Sequence, residues 1–306
     1  MKTLPSHELP VNLFHFPWYV VESGYTWNQT AIPDRASEVK GEPPFLVWAA
    51  DGGLARTYQP LEAQPELFYK FAELNGNPKS IVAFANRYGW LGLITFLRSE
   101  SGDGLFYGES LSVWHKAISE MKMLVRVWEW LRDKNAARLG RHIVWHDASS
   151  VFFCCAVAGN RMVTGRPDGE VVSKAHEAGE PVYQLVHRIA DAESTYPVLF
   201  ARWRMGDVID PATLLLLQLV NEHLQGVASP ALLVDAAGIL RPYVVPKHLL
   251  GAMWFQFYRA ITGERRFVRC EICFKLMDVT ENRKNKSMHD RCSQNRRMAK
   301  YRSRKT

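Results

Sequence analysis

Three of the chain's five cysteines, Cys270, Cys273 and Cys292, lie in its last forty or so residues, together with His289. The spacing reads Cys270-x2-Cys273, fifteen intervening residues, then His289-x2-Cys292. A tetrahedral zinc ion wants four soft or borderline donors converging on about 2.0–2.3 Å, and two pairs of this kind supply them. Each pair makes a tight turn that aims two side chains at one point, and the spacer brings the turns together. Cys270, Cys273, His289 and Cys292 are therefore the expected ligands of one Zn2+. A rival site, His142-x3-His146-Asp147, suits a metal only on a helix. Ile143-Val144-Trp145 reads as a strand, where residues four apart sit ~13 Å from each other, too far for one ion. The chain carries no G-x-S-x-G, no GxxxxGK[ST] and no H-E-x-x-H, so the expectation is a protein that is not an enzyme.

The residues after the last ligand matter as much. Gln294 to Arg304 is a basic run of good helix formers, with Cys292-Ser293 where a helix would start. A knuckle, a loop and a second ligand pair at the head of a short helix describe a treble-clef-like finger. On that helix Arg296, Arg297, Lys300 and Arg304 recur at steps of three and four and share a side. With Arg302 they are the candidate nucleic-acid contacts, and Met298 and Tyr301 are expected to pack back onto the knuckle near Phe274 and Leu276.

Over these forty residues the sequence resembles the C-terminal zinc fingers of the CGNR type. Cys270 and Cys273 match the family's knuckle, Cys292 its last ligand, Asn295-Arg296 its Asn-Arg, and Tyr301-Arg302-Ser303-Arg304 its Y-R-x-R tail. The signature here reads Cys-Ser-Gln-Asn-Arg, with one extra residue, and His289 stands in for the family's third cysteine. A second register aligns Cys292 with that third cysteine and Arg296 with the fourth. Phe84 to Gly92 and Leu250 to Gln256 are also similar to stretches of such proteins. The family is mostly bacterial, and the resemblance implies a transcriptional regulator.

From Arg265 onward there are 14 Lys/Arg against 4 Asp/Glu, net +10, while the whole chain is +7. Residues 1–264 therefore carry −3, and the basic character belongs to the tail. Such a tail on a mildly acidic body points to a localised polyanion contact, DNA more than RNA. The apolar runs fall far short of the ~20 residues needed to span a bilayer, which predicts no membrane partner. Cys154 and Cys155 lie in an apolar strand and read as buried hydrophobes. MKTLPSHELP does not resemble a signal peptide, and a reduced cytoplasm is the expected compartment.

The elements that must position the finger form an α+β body with antiparallel strands. Residues 1–12 read as an arm and Leu13 to Val21 as a strand broken at Pro17. Pro44 to Tyr58 reads as a hairpin turning at Asp51-Gly52-Gly53. Leu61 to Leu74 reads as a helix, and Asn77-Pro78 opens another that runs to Tyr88 and closes at Gly89. Asn86, Arg87 and Tyr88 read as its end and not as a polar site. Leu93 to Leu97 is a short strand before a loop at Ser101 to Gly104. Ser110 to about Leu139 is the longest helical pattern, with an apolar stripe from Trp114 to Leu131. Short strands follow at Ile143 to Trp145, Ser150 to Ala158 and Arg161 to Thr164, with a turn at Pro167-Asp168-Gly169 and a continuation at Leu185 to Ile189. Asp210-Pro211 caps a helix over Ala212 to Leu224, and Ala231 to Val234 is brief and apolar. Pro246 starts a helix over Lys247 to Thr262 with Leu250, Trp254, Phe257 or Tyr258, and Ile261 inside.

Residues 1–262 thus read as a body able to sense or bind a ligand, and 263–306 as the finger with its basic helix. The leading reading is a cytoplasmic zinc protein whose finger contacts DNA. A second is a structural finger serving protein–protein interaction or homo-oligomer formation. A third is an enzyme on a nucleotide or small molecule with an accessory finger.

Overall fold

A chain that alternates short β-branched runs with amphipathic stretches folds as mixed helix and antiparallel strand, and the protein is α+β. The computed structural model describes residues 17–28, 32–33, 45–48, 55–93, 95–98, 105–147, 150–154, 182–186, 196–234, 238–280 and 286–303. Five strands come first: β1 (Trp18–Val21), β2 (Tyr25–Asn28), β3 (Ile32–Pro33), β4 (Phe45–Trp48) and β5 (Ala55–Tyr58). Three helices follow, α1 (Pro60–Ala63), α2 (Leu67–Ala72) and α3 (Pro78–Tyr88), then β6 (Thr95–Arg98) and β7 (Leu105–Ser110). Next come α4 (Leu111–Arg132), α5 (Ala136–Leu139), β8 (Ile143–Asp147), β9 (Ser150–Cys154), β10 (Val182–Val186), α6 (Pro197–Phe200) and α7 (Ile209–Leu224). The chain closes with β11 (Ala228–Val234), β12 (Leu240–Pro246), α8 (Leu249–Ile261), β13 (Phe267–Arg269), β14 (Leu276–Asp278) and α9 (Asp290–Ser303). No helix among the described residues is long and apolar enough to cross a membrane.

The chain forms two compact units, one of Met1–Ile118 with Leu224–Thr306 and one of Ser119–His223. The first holds an antiparallel sheet in the order β2-β4-β7-β6-β3. Phe45, Val47 and Leu97 are buried together on it. Beside the sheet, Phe71 lies between Phe84 and Trp114, at ring distances of 5.4 and 6.1 Å. The Asn77 side chain accepts the Ser80 N–H at 2.8 Å and opens α3 as expected, and Gly89 (φ 92°) closes it. There the Arg56 guanidinium donates to the Arg87 carbonyl and the Tyr58 hydroxyl to the Tyr88 carbonyl. Asn86 accepts the Tyr25 N–H, so this helix end is structural.

The expected 44–58 hairpin does not form. β4 pairs with β2 and β7, whereas β5 pairs with β1. An apolar strand such as β4, buried at Phe45, Leu46 and Val47, takes neighbours on both edges, while β5 spends its side chains on the end of α3. The single helix expected over 61–74 is two, α1 and α2, broken around Pro65, whose ring cannot continue a helix. The buried Gln256 of α8 fills that break. Its Oε1 accepts the Phe68 N–H, and its Nε2 donates to the carbonyls of Pro60 and Gln64 at 2.9 Å each.

The second unit carries most of α4 and α7 and the sheet β10-β9-β8. α4 ends at Arg132 and the chain turns through Lys134 (φ 51°), so the expected long helix becomes α4 and the one-turn α5. α7 is capped by Asp207, which accepts the N–H groups of Val208, Ile209 and Asp210. Asp210, the expected cap, is instead buried and paired with Arg202 at 2.8 Å. Similarly α8 starts after a His248 cap and not at Pro246, which ends β12, and of the two alternatives Phe257 and Tyr258 it is Phe257 that is inside. Expectations for residues 1–12, 51–53, 101–104, 161–164 and 167–169, and for the side chains of Cys154 and Cys155, lie outside the described residues.

Candidate metal centre

The knuckle is built on a hairpin. β13 and β14 pair Phe267 with Asp278, Val268 with Met277 and Arg269 with Leu276, which leaves Cys270 to Lys275 as the turn. Cys270 donates its N–H to the Lys275 carbonyl, and Phe274 donates its own to the Cys270 carbonyl, both at 2.9 Å. Such a turn needs a left-handed residue after the second cysteine, and Phe274 takes that place at φ 58°. A side chain there costs about 1–2 kcal/mol against glycine. The hairpin is seated firmly within the first unit. Phe267 sets its ring edge-on to Phe68 at 5.6 Å, Leu276, Met277 and Val279 are buried, and Arg265 donates its N–H to the Arg259 carbonyl of α8 at 3.0 Å.

The second ligand pair arrives at a helix start. α9 begins at Asp290, two residues before the expected point, so His289 precedes the helix and Cys292 sits in its first turn. Ser293 donates its N–H to the His289 carbonyl, and Glu271 donates its own to the Ser287 carbonyl, tying the two pairs together. Cys270, Cys273, His289 and Cys292 lie with their donor atoms all within 4.8 Å of one another and can hold a metal ion. Cys273 Sγ is 3.4 Å from His289 Nδ1, close to the ~3.3–3.8 Å that tetrahedral bonds of zinc-like length impose on neighbouring donors.

The electrostatics of the cluster fit a cation. Burial opposes ionisation of Cys270, yet N–H donors from Cys273, His289 and Ile272, with the His289 ring, outweigh it and bring the thiol down to about 5. Burial pushes Cys292 up to about 11, and the sulfurs of Cys273 and Cys270 add to the rise. Three sulfurs at this range cannot all hold negative charge unless a positive ion stands among them. The donor set therefore matches a divalent metal that prefers thiolate and imidazole.

The expected nucleic-acid contacts fall as follows. Arg296, Arg297 and Arg302 are exposed on α9. Lys300 lies in the same helix, with its side chain outside the described residues, as is Arg304. Arg296 reaches back to the Met288 sulfur at 3.7 Å. Met298 and Tyr301 are not buried against the knuckle as expected: they are 54% and 55% exposed, and Phe274 is 68% exposed. The knuckle's apolar side, at Leu276 and Met277, is already spent on its own unit. His142, from the rival motif, is buried and stacked between Trp130 and Phe153 at 5.1 and 5.5 Å, beside the strand that was expected there.

One functional-looking group had no signal in the sequence. Glu109 is fully buried, and its carboxylate accepts the N–H groups of Leu91, Gly92 and Leu93 at 2.9, 2.6 and 2.8 Å. Burial pushes it up to about 7 against those bonds. The loop it holds meets the start of α8, where Leu250 donates to the Leu91 carbonyl at 3.1 Å. A Cβ on Gly92 would stand 2.6 Å from that of His248. The two stretches singled out upstream of the finger, 84–92 and 250–256, are thus neighbours. Comparisons with protein-family models, with curated proteins and with solved structures found no match.

Proposed function

We propose that the chain is a zinc protein whose C-terminal finger binds nucleic acid, DNA in preference to RNA, in a regulatory role. Zinc is the ion that three thiolates and one imidazole in tetrahedral reach select in a reducing compartment. The observation that carries the nucleic-acid reading is α9. It leaves the metal site with Arg291, Arg296, Arg297, Lys300 and Arg302 against the single acid Asp290, and none of its described side chains is buried. A helix with no apolar face to bury gains nothing from its own fold, and its charge pattern suits a row of phosphates. The resemblance to CGNR-type fingers agrees with this.

The test is binding of the full chain to a labelled duplex across a salt series, with and without a chelator. Replacing Arg296, Arg297, Lys300 and Arg304 together flattens the salt slope by about 0.9 for each phosphate no longer neutralised, with zinc content unchanged. A parent protein with no affinity for DNA or RNA at low salt ends the reading. A second reading, a finger that only pins the end of the fold, draws on the Phe267–Phe68 contact. It expects no salt-dependent binding at all.

A further inference from the structure

The tip of the knuckle carries a feature that neither metal binding nor phosphate binding asks for. Phe274 stands at φ 58°, a backbone conformation that favours glycine, and its ring is 68% exposed. Folding gains from neither property. The backbone that carries the ring is nonetheless held firmly, since the Phe274 N–H bonds Cys270 and its carbonyl accepts from Arg269 Nη1 at 2.8 Å. Ile272, two residues earlier, is 41% exposed; Lys275 on the turn and Arg269 just before it are exposed, as is the acid Glu271. The tip therefore presents an aromatic face and an aliphatic edge beside two cations and one acid, net positive. The finger as a whole belongs to a tail of net +10, which calls for a polyanion and leaves open what the ring is for.

We propose that the knuckle tip is a base-stacking platform and that the finger's ligand is an unpaired nucleic-acid strand. Phe274 takes the face of one base, Ile272 packs along its edge, and Arg269 and Lys275 hold the flanking phosphates. In a duplex, base faces are hidden in the stack, so an exposed ring reaches one only by unstacking it, whereas in a single strand every base offers its face. The proposal rests on the nucleic-acid reading above and narrows it to a substrate class.

The test uses the zinc-loaded full chain with labelled oligothymidylate, oligouridylate and a DNA duplex of the same length, at matched salt. The parent is expected to bind a strand more tightly than the duplex, and the tighter of the two strands names the polymer. Phe274→Gly removes the ring and relieves the left-handed conformation. It is expected to weaken strand binding roughly 5- to 150-fold, to leave duplex affinity and zinc content unchanged, and to melt no lower than the parent. Lower affinity in a protein that is no less stable is a pairing that a structural role for the ring does not produce. Phe274→Trp is expected to keep strand affinity, and Phe274→Asn, which tolerates the same backbone, to lose it as glycine does. Strand affinity unchanged in both Phe274→Gly and Phe274→Asn overturns the platform. So does a parent that binds duplex at least as tightly as either strand, although the nucleic-acid reading then survives. A parent that binds none of the three probes removes both.

Discussion

At the scale of single residues, two buried polar side chains do more for the first unit than any surface ion pair. Gln256 satisfies one N–H and two carbonyls that the break between α1 and α2 leaves open. Gln256→Leu keeps the volume and strands all three, at about 1–3 kcal/mol for each buried group left unpaired. Denaturant unfolding is expected to show a destabilisation of at least about 3 kcal/mol. Glu109 makes a separate prediction in pH. Its folded value of about 7 lies above the unfolded 4.5, so the folded state binds the extra proton. Stability from this group is fully present below pH 4.5 and is lost as pH rises through 7. The full effect is on the order of 3 kcal/mol. In Glu109→Gln the slope between those values is expected to vanish, on a lower baseline, because an amide nitrogen then faces one of the three N–H donors. Neither residue is legible in the sequence, since each bonds backbone groups of another element, 16 to 18 residues away for Glu109 and 188 to 196 for Gln256. The four metal donors are legible because their chemistry lies in the side chains themselves and their turns are local.

At the scale of elements, caps and periodicity are readable and strand partners are not. Asn77 and Gly89 bound α3 as their types require, and Asn77→Ala is expected to cost about 1 kcal/mol by the same denaturant measurement. The strands at 45–48 and 55–58 can be read from their residues, but their partners depend on which edges the rest of the fold leaves open, and a turn signal cannot report that. For α9 the apolar pair Met298 and Tyr301 suggests a packing face, yet both side chains are more than half exposed, and the buried apolar residues of the hairpin, Leu276 and Met277, are already spent on its own unit. The helix is therefore anchored at its first turn by His289 and Cys292. A helix of 14 residues is marginal in water without such an anchor. A chelator is expected to remove a small share of far-UV ellipticity while the main melting transition persists, and His289→Ala is expected to do the same without chelator. Ellipticity that ignores both treatments contradicts the anchoring.

At the scale of the whole molecule, the finger's hairpin belongs with the residues it covers. A chain ending at Thr262 exposes Phe68 and loses the bond from the Arg265 N–H to the Arg259 carbonyl, so it is expected to stay soluble and melt cooperatively, at a lower temperature than the full chain. An unchanged melting temperature contradicts this. The bonds from Gln256 also set an order of assembly. They reach back 188 to 196 residues, so the break between α1 and α2 cannot be filled until that glutamine has left the ribosome. At ~5–20 residues per second the wait is roughly 10–40 s. Ser119–His223 emerges complete during that interval. The nascent chain therefore has all of its second unit synthesised while the first still lacks the α8 residues that cover α1 and α2. A chain stalled before Gln256 is therefore expected to bind chaperones more than the completed chain does, since its α1–α2 break is still unfilled.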